Sequence, residues 1–208
     1  MQLARRHLLG YGAALPTLAI LSACQLPGSG PAPREFRLTP KSTFSEGLPQ
    51  VAWSLGIGTP TADRSVDTNR IARLTGGVEL EYFANATWAN RPAAMIQTLI
   101  LQSFRNSGAI DVVVDDRSDV RPDFVLQTDL RAFQAEQTSG PPDVRAALDA
   151  KLVQMPKRDV VGSEAFDHTV AATAGDIEAI VTAFDDALGK ALKRLVEWTL
   201  VTGETAAR

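Results

Sequence analysis

Three long stretches in the second half of the chain restrict its fold more than any other feature. From Asp123 to Ala135, Phe124, Leu126, Thr128, Leu130 and Ala132 fall on one side, with Gln127, Asp129 and Arg131 on the other. From Val144 to Gln154, Val144, Ala146, Leu148, Ala150 and Leu152 alternate with Arg145, Asp149 and Lys151. A period of two over such lengths specifies strands with one apolar and one wet face. Arg158 to about His168 reads as a third, less regular strand, with Gly162 as its bulge. Gly140-Pro141-Pro142 and Met155-Pro156-Lys157 are turn sequences. The three strands therefore form an antiparallel meander.

The apolar face of such a sheet needs a cover. Asp176 to Leu200 carries Ile177, Ile180, Val181, Phe184, Leu188, Leu192 and Leu195 at helical spacing. Asp176 and Glu178 open this run, and Lys190, Lys193 and Arg194 come late, as the helix dipole favours. A second helix is expected from Pro92 to Asn106, capped by Asn90, stopped by Gly108, with Ile96, Leu99, Ile100, Ser103 and Phe104 on one face.

Upstream, short strands are expected at Glu35–Thr39, at Gln50–Gly58 (Val51, Trp53, Leu55 and Ile57 alternating) and at Ile110–Val114. A hairpin over Asn69–Leu74 and Val78–Tyr82 turns at Gly76-Gly77. The expected class is α+β: a curved, largely antiparallel β-sheet with two amphipathic helices packed on one face.

The first 34 residues have another logic. Arg5 and Arg6 precede an apolar run from Leu8 to Leu21, and Leu21-Ser22-Ala23-Cys24 follows. A basic head, an apolar middle and small residues at a cleavage point make a secretory signal. Apolar-small-small-Cys is a lipobox. On that reading the Cys24 thiol accepts a diacylglycerol, cleavage falls between Ala23 and Cys24, and the new amino terminus is acylated. The interrupted apolar run is too short for the roughly 20 residues of a spanning helix. Arg5-Arg6 fits a twin-arginine signal only loosely, so ordinary secretion is the reading. Gln25 rather than Asp after the cysteine favours the outer membrane of a Gram-negative cell.

Four segments result: a lipoprotein signal at 1–23, a lipidated cysteine and flexible tether at 24–34, one periplasmic domain at 35–202, and a tail at 203–208. Cys24 is the only cysteine, so no disulfide braces the domain. Formal charge is −3 for the whole chain. Without residues 1–23, which carry two arginines and no acids, it is 19 − 24 = −5. That balance argues against a nucleic-acid partner.

Catalytic groups are sparse. His168 stands alone once His7 leaves with the signal, which disfavours a zinc site. A Ser-His-Asp set is not settled by spacing, but Gly162-Ser163-Glu164 is no nucleophile elbow. Asp115-Asp116 is a candidate cation site, while Asp185-Asp186 reads as solvated surface. No catalytic residue, metal or cofactor is assigned beyond the acyl chains on Cys24. Trp88 has two readings: a plug beneath the Pro92 helix, or an exposed anchor for a protein partner.

The ordered set of features resembles the ABC-type transport auxiliary lipoproteins, the family that includes paraquat-inducible protein C. The carriers are Cys24 and its tether, Phe36-Arg37-Leu38, and Tyr82 followed by Trp88-Ala89. A proline-started helix with Met95, Gly108, Asp123-Phe124-Val125-Leu126, Phe133 and a late helix near Trp198 complete the set. The resemblance implies a non-enzymatic component of a lipid-transport system, anchored in the outer membrane and facing the periplasm. Its implied partners are an MCE-domain protein and ABC-type inner-membrane subunits, with a homo-oligomer open. A lipid carrier with an apolar pocket and a lipoprotein hydrolase are the alternatives. Arg91-Pro92 departs from the bulkier apolar stretch common in the family.

Overall fold

The computed structural model describes residues 32–137 and 139–208. The elements run β1 (Arg34–Phe36), β2 (Leu55–Ile57), β3 (Thr61–Ala62), β4 (Arg70–Thr75), β5 (Glu79–Trp88), α1 (Pro92–Ser107), β6 (Val113–Asp115), β7 (Phe124–Gln137), β8 (Asp143–Gln154), β9 (Asp159–Ala171) and α2 (Ile177–Ala207).

Strand β7 is the spine. Along one edge it pairs antiparallel with β8 over nearly its full length, and β8 pairs antiparallel with β9. Its other edge is shared out: β2 lies against Phe124–Leu126, β3 against Asp129–Leu130 and β4 against Ala135–Gln137, all parallel. Beyond them β6 joins β2, and β5 and then β1 join β4. The result is an open, mostly antiparallel mixed sheet with two helices, the α+β class expected. The expected antiparallel meander is β7-β8-β9. The parallel additions come from short strands whose pairing partners lie far along the chain.

Local departures have local causes. The expected strand from Gln50 to Gly58 shrinks to β2 plus a bridge between Val51 and Ile110. Between them the Ser54 amide and hydroxyl both donate to Asp123 Oδ2, at 2.8 and 2.7 Å. In β7 the inward alternation slips after Leu130 at a register shift, so Phe133 and Ala135 face the core. Helix α1 is not capped by Asn90. Arg91 occupies the cap position without a side-chain bond, and Asp67 Oδ1 accepts the Ala93 amide at 3.0 Å. A carboxylate from the β3–β4 connection thus satisfies a helix-end donor. Asp67 also pairs with Arg91 at 2.7 Å.

The expected tail at 203–208 is instead helical, because α2 continues to Ala207. Gly203 is buried there against Trp53, where any side chain would collide. Asp176 caps the other end of α2 by accepting the Ala179 amide at 2.9 Å.

The core lies between the sheet and α2. Trp88, Phe133 and Phe184 stack there, with ring centroids 4.8 to 5.5 Å apart. Ile180, Leu188, Leu192 and Leu195 extend this contact along α2. Trp88 is only 2% exposed. The exposed-anchor reading of Trp88 is therefore corrected: it is the last residue of β5, and it plugs the core rather than presenting a surface.

The strand directions give the domain two poles. At the proximal pole the chain enters β1, and Arg34 bonds Glu178 in the first turn of α2. The β4–β5 turn, the β7–β8 turn and the end of β9 lie on the same side. At the distal pole are the starts of β2, β6 and β7, the β8–β9 turn and the last turns of α2.

Candidate docking surface

Cys24 and Ala23, on which the lipidation reading rests, lie outside the described residues. The remaining candidates are placed by the fold. Asp116 Oδ2 accepts from the Thr59 hydroxyl at 2.7 Å and the Thr59 amide at 3.0 Å, and Oδ1 accepts from Gln97 at 3.1 Å. The Thr59 hydroxyl above all holds the Asp116 carboxyl below its usual range. Asp115 leans toward Arg117 at 3.5 Å. This pair is a loop brace, and among the described residues no group of three or more His, Cys, Asp or Glu is placed to hold a metal. Asp185 likewise binds the Thr39 amide and hydroxyl, both at 2.7 Å, pinning the segment after β1 to α2.

His168 sits half-buried on β9, and its Nε2 is buried without a hydrogen-bond partner. Among the described residues no hydrogen bond joins it to a serine or a carboxylate. Neighbouring Asp167 is instead taken by Arg145, at 2.6 to 3.2 Å. Burial first, then the positive charges of Arg194 and Lys190, push the His168 pKa below its ordinary value. The folded protein therefore resists protonating a histidine that the unfolded chain protonates near pH 6.5. The unfolded state binds more protons in that window, so stability falls as pH drops from about 6.5 toward the lower folded pKa. Urea melts of His168→Gln should show a flatter stability profile than wild type between pH 7 and 5. Equal slopes would contradict the burial argument.

The lipid-carrier alternative needs an apolar cavity between sheet and helix. That space is filled by Trp88, Phe133, Phe184 and Leu188, all buried. A larger cleft, about 630 Å³, lies elsewhere and is lined by polar groups including Thr59, Gln127, Asp129, Asp149 and Lys151.

What the surface does offer is apolar side chains at the two ends. At the distal pole Val112 is 42% exposed, Val160 56% and Val201 54%. Val112 precedes β6, Val160 follows the β8–β9 turn, and Val201 lies in the late turns of α2. Val120 is exposed on the loop leading back to β7. Lys157 and Arg158 in the turn are exposed beside them. A shallow cleft of about 330 Å³, lined by Pro49, Val201, Glu204, Thr205 and Arg208, opens at the same end. Scattered exposed valines are ordinary. A set gathered at one pole with a charged rim has the anatomy of a protein contact. No periodic pattern in the sequence groups these residues; the one local signal is Val120, an apolar residue between Asp119 and Arg121.

A family model described as ABC-type transport auxiliary lipoprotein component matches residues 36–196. The chain belongs to this family of ABC-type transport auxiliary lipoproteins. The crystal structure of protein XCC0632 from Xanthomonas campestris is similar at a TM-score of 0.80 and 30% identity, covering 84% of this chain and 98% of that one. Another crystal structure, of an uncharacterized protein, shares the fold at a TM-score of 0.60 and 10% identity, covering 79% of this chain and 97% of that one. An uncharacterized protein of Bradyrhizobium diazoefficiens, bll6063, is 28% identical over 148 residues, which is 71% of this chain. The chain spans about 40% of the length of that curated relative. The family description names a lipoprotein component of ABC-type transport, and the matched residues are those of the two-pole domain.

Proposed function

We propose that this auxiliary lipoprotein is a non-enzymatic docking component of a transport system that moves lipids or other hydrophobic molecules across the cell envelope. Acyl chains on Cys24 hold it to the periplasmic face of the outer membrane. Its distal pole receives the periplasmic end of an MCE-domain protein, which is coupled to ABC-type subunits in the inner membrane. The observation that carries this reading is the bipolar layout. Chain entry and the start of α2 share one end, while Val112, Val160 and Val201 stand exposed at the other. A protein held at its proximal pole presents the distal pole to the periplasm.

The interior filled by Trp88, Phe133, Phe184 and Leu188 supports docking over carriage of an acyl chain. Replacing Val160 and Val201 together by aspartate should abolish capture of MCE and transporter subunits from solubilised envelopes while leaving the melting transition within a few degrees of wild type. Unchanged capture would place the docking surface elsewhere.

A further inference from the structure

The most exposed large apolar side chain among the described residues is not at the distal pole. Val78, 88% exposed, stands at the tip of the β4–β5 hairpin beside Gly76 and Gly77, both at positive φ, with Leu80 half-exposed behind it. This tip has a defined relation to the point where the chain enters the domain. β1 runs parallel to β5, with Arg34 opposite Ala86. The hairpin tip lies back along β5, toward Glu79. Because β5 bulges between Tyr82 and Thr87, the span back to Glu79 is set by Arg70 to Thr75 on β4, five residue steps or about 16 Å at the rise of a strand. The hairpin therefore projects toward the side from which the tether arrives.

The tether sets a matching distance. From Cys24 to Arg34 is ten residue steps, which reach at most about 35 Å when extended. A bilayer holding the acyl chains of Cys24 is thus within reach of the hairpin tip, and the tip meets it before the rest of the hairpin. Of the two carboxylates nearest the tip, Glu79 and Glu81, one is paired within the hairpin. Glu81 is neutralised by Arg73 at 2.7 Å and accepts from the Thr75 hydroxyl at 2.9 Å. That leaves glycines and an apolar side chain at the point itself, with Glu79 behind.

We propose that the β4–β5 hairpin tip is a second membrane contact, with Val78 seated among the headgroups of the leaflet that holds the Cys24 anchor. The contact rests on the lipid-anchor reading and adds orientation to it. Attachment through Cys24 alone leaves the orientation of the domain unfixed, whereas two points of attachment turn the distal pole away from the bilayer. The occupant is a lipid surface. A protein seated on the tip would be a different result, and the test separates the two.

The test uses a consequence of the single cysteine. In the acylated protein Cys24 is blocked, so Val78→Cys carries the only free thiol, and Val160→Cys serves as the distal control. Each variant, in its full acylated form, is labelled with an environment-sensitive nitrobenzoxadiazole dye. It is then reconstituted on vesicles of phosphatidylethanolamine with a minor share of phosphatidylglycerol. The expected result is at least two-fold quenching of the position-78 label by nitroxide-bearing lipid, with the position-160 label unaffected. Protein that floats with the vesicles but shows equal quenching at both positions overturns the hairpin contact and leaves the anchor standing. Protein that does not float overturns the anchor and the contact together.

Discussion

Trp88→Ala is expected to remove about 3–5 kcal/mol of folding stability, the range for truncating a large buried aromatic. The ring is almost wholly buried, 5.5 Å from Phe133 and 5.1 Å from Phe184, between the end of β5 and the early turns of α2. No neighbour can refill the space, because Phe133 and Phe184 are already packed on each other at 4.8 Å. A domain of this size has roughly 5–15 kcal/mol in total, so a large share is lost. Urea unfolding followed by circular dichroism should show the midpoint drop sharply. A loss below about 1 kcal/mol would mean that Trp88 does not close the core.

Gly203→Val should be nearly as damaging, although valine forms helices better than glycine. A Cβ at position 203 would lie 2.5 Å from Trp53 Cζ2 and 2.9 Å from Cη2. The Trp53 ring cannot retreat, since its other side packs edge-on against Phe124 at 5.0 Å. Filling an occupied space costs about 1–3 kcal/mol or more, against less than about 1 kcal/mol from removing a glycine from a helix. Packing therefore outweighs propensity, and a loss of about 3 kcal/mol is expected for valine. Gly189 lies in the same helix with open space around its Cα, and Gly189→Ala should stabilise by up to about 1 kcal/mol. Thermal melts of the two variants should move in opposite directions. A shared direction would show that helix propensity, not the Trp53 contact, governs position 203.

These two positions also show what periodicity could and could not reveal. The long alternations of β7 and β8 and the stripe of α2 are local patterns, and each became the element expected. The plug reading of Trp88 holds, but the extension of β5 to Trp88 has no local signal, because Asn85-Ala86-Thr87 has loop composition. Asn85 does take a positive φ of 56°, yet the strand continues through it because β1 pairs with Ala86 to Trp88. That pairing joins segments about 50 residues apart, and no local signal announces it. Gly203 reads as tail for the same reason: its partner, Trp53, lies 150 residues away. The cap of α1 likewise comes from Asp67 rather than from Asn90. On the functional side the proposed lipobox at Cys24 is a contiguous motif, Leu21-Ser22-Ala23-Cys24, that lies outside the described residues. The distal valines form no such motif, because their common position depends on β2, β6, β8 and α2 ending at one pole.

The central claim is that this pole docks a transport partner while Cys24 holds the membrane. The most direct measurement is capture from detergent-solubilised envelopes, comparing wild type, Cys24→Ala and the Val160→Asp/Val201→Asp pair, with proteins and lipids identified by mass spectrometry. Wild type should bring down an MCE-domain protein with ABC-type subunits. The distal pair should lose them while still sedimenting with membranes, and Cys24→Ala should leave the membrane fraction. A wild-type capture without transporter subunits, or one that survives both distal aspartates, would contradict the account.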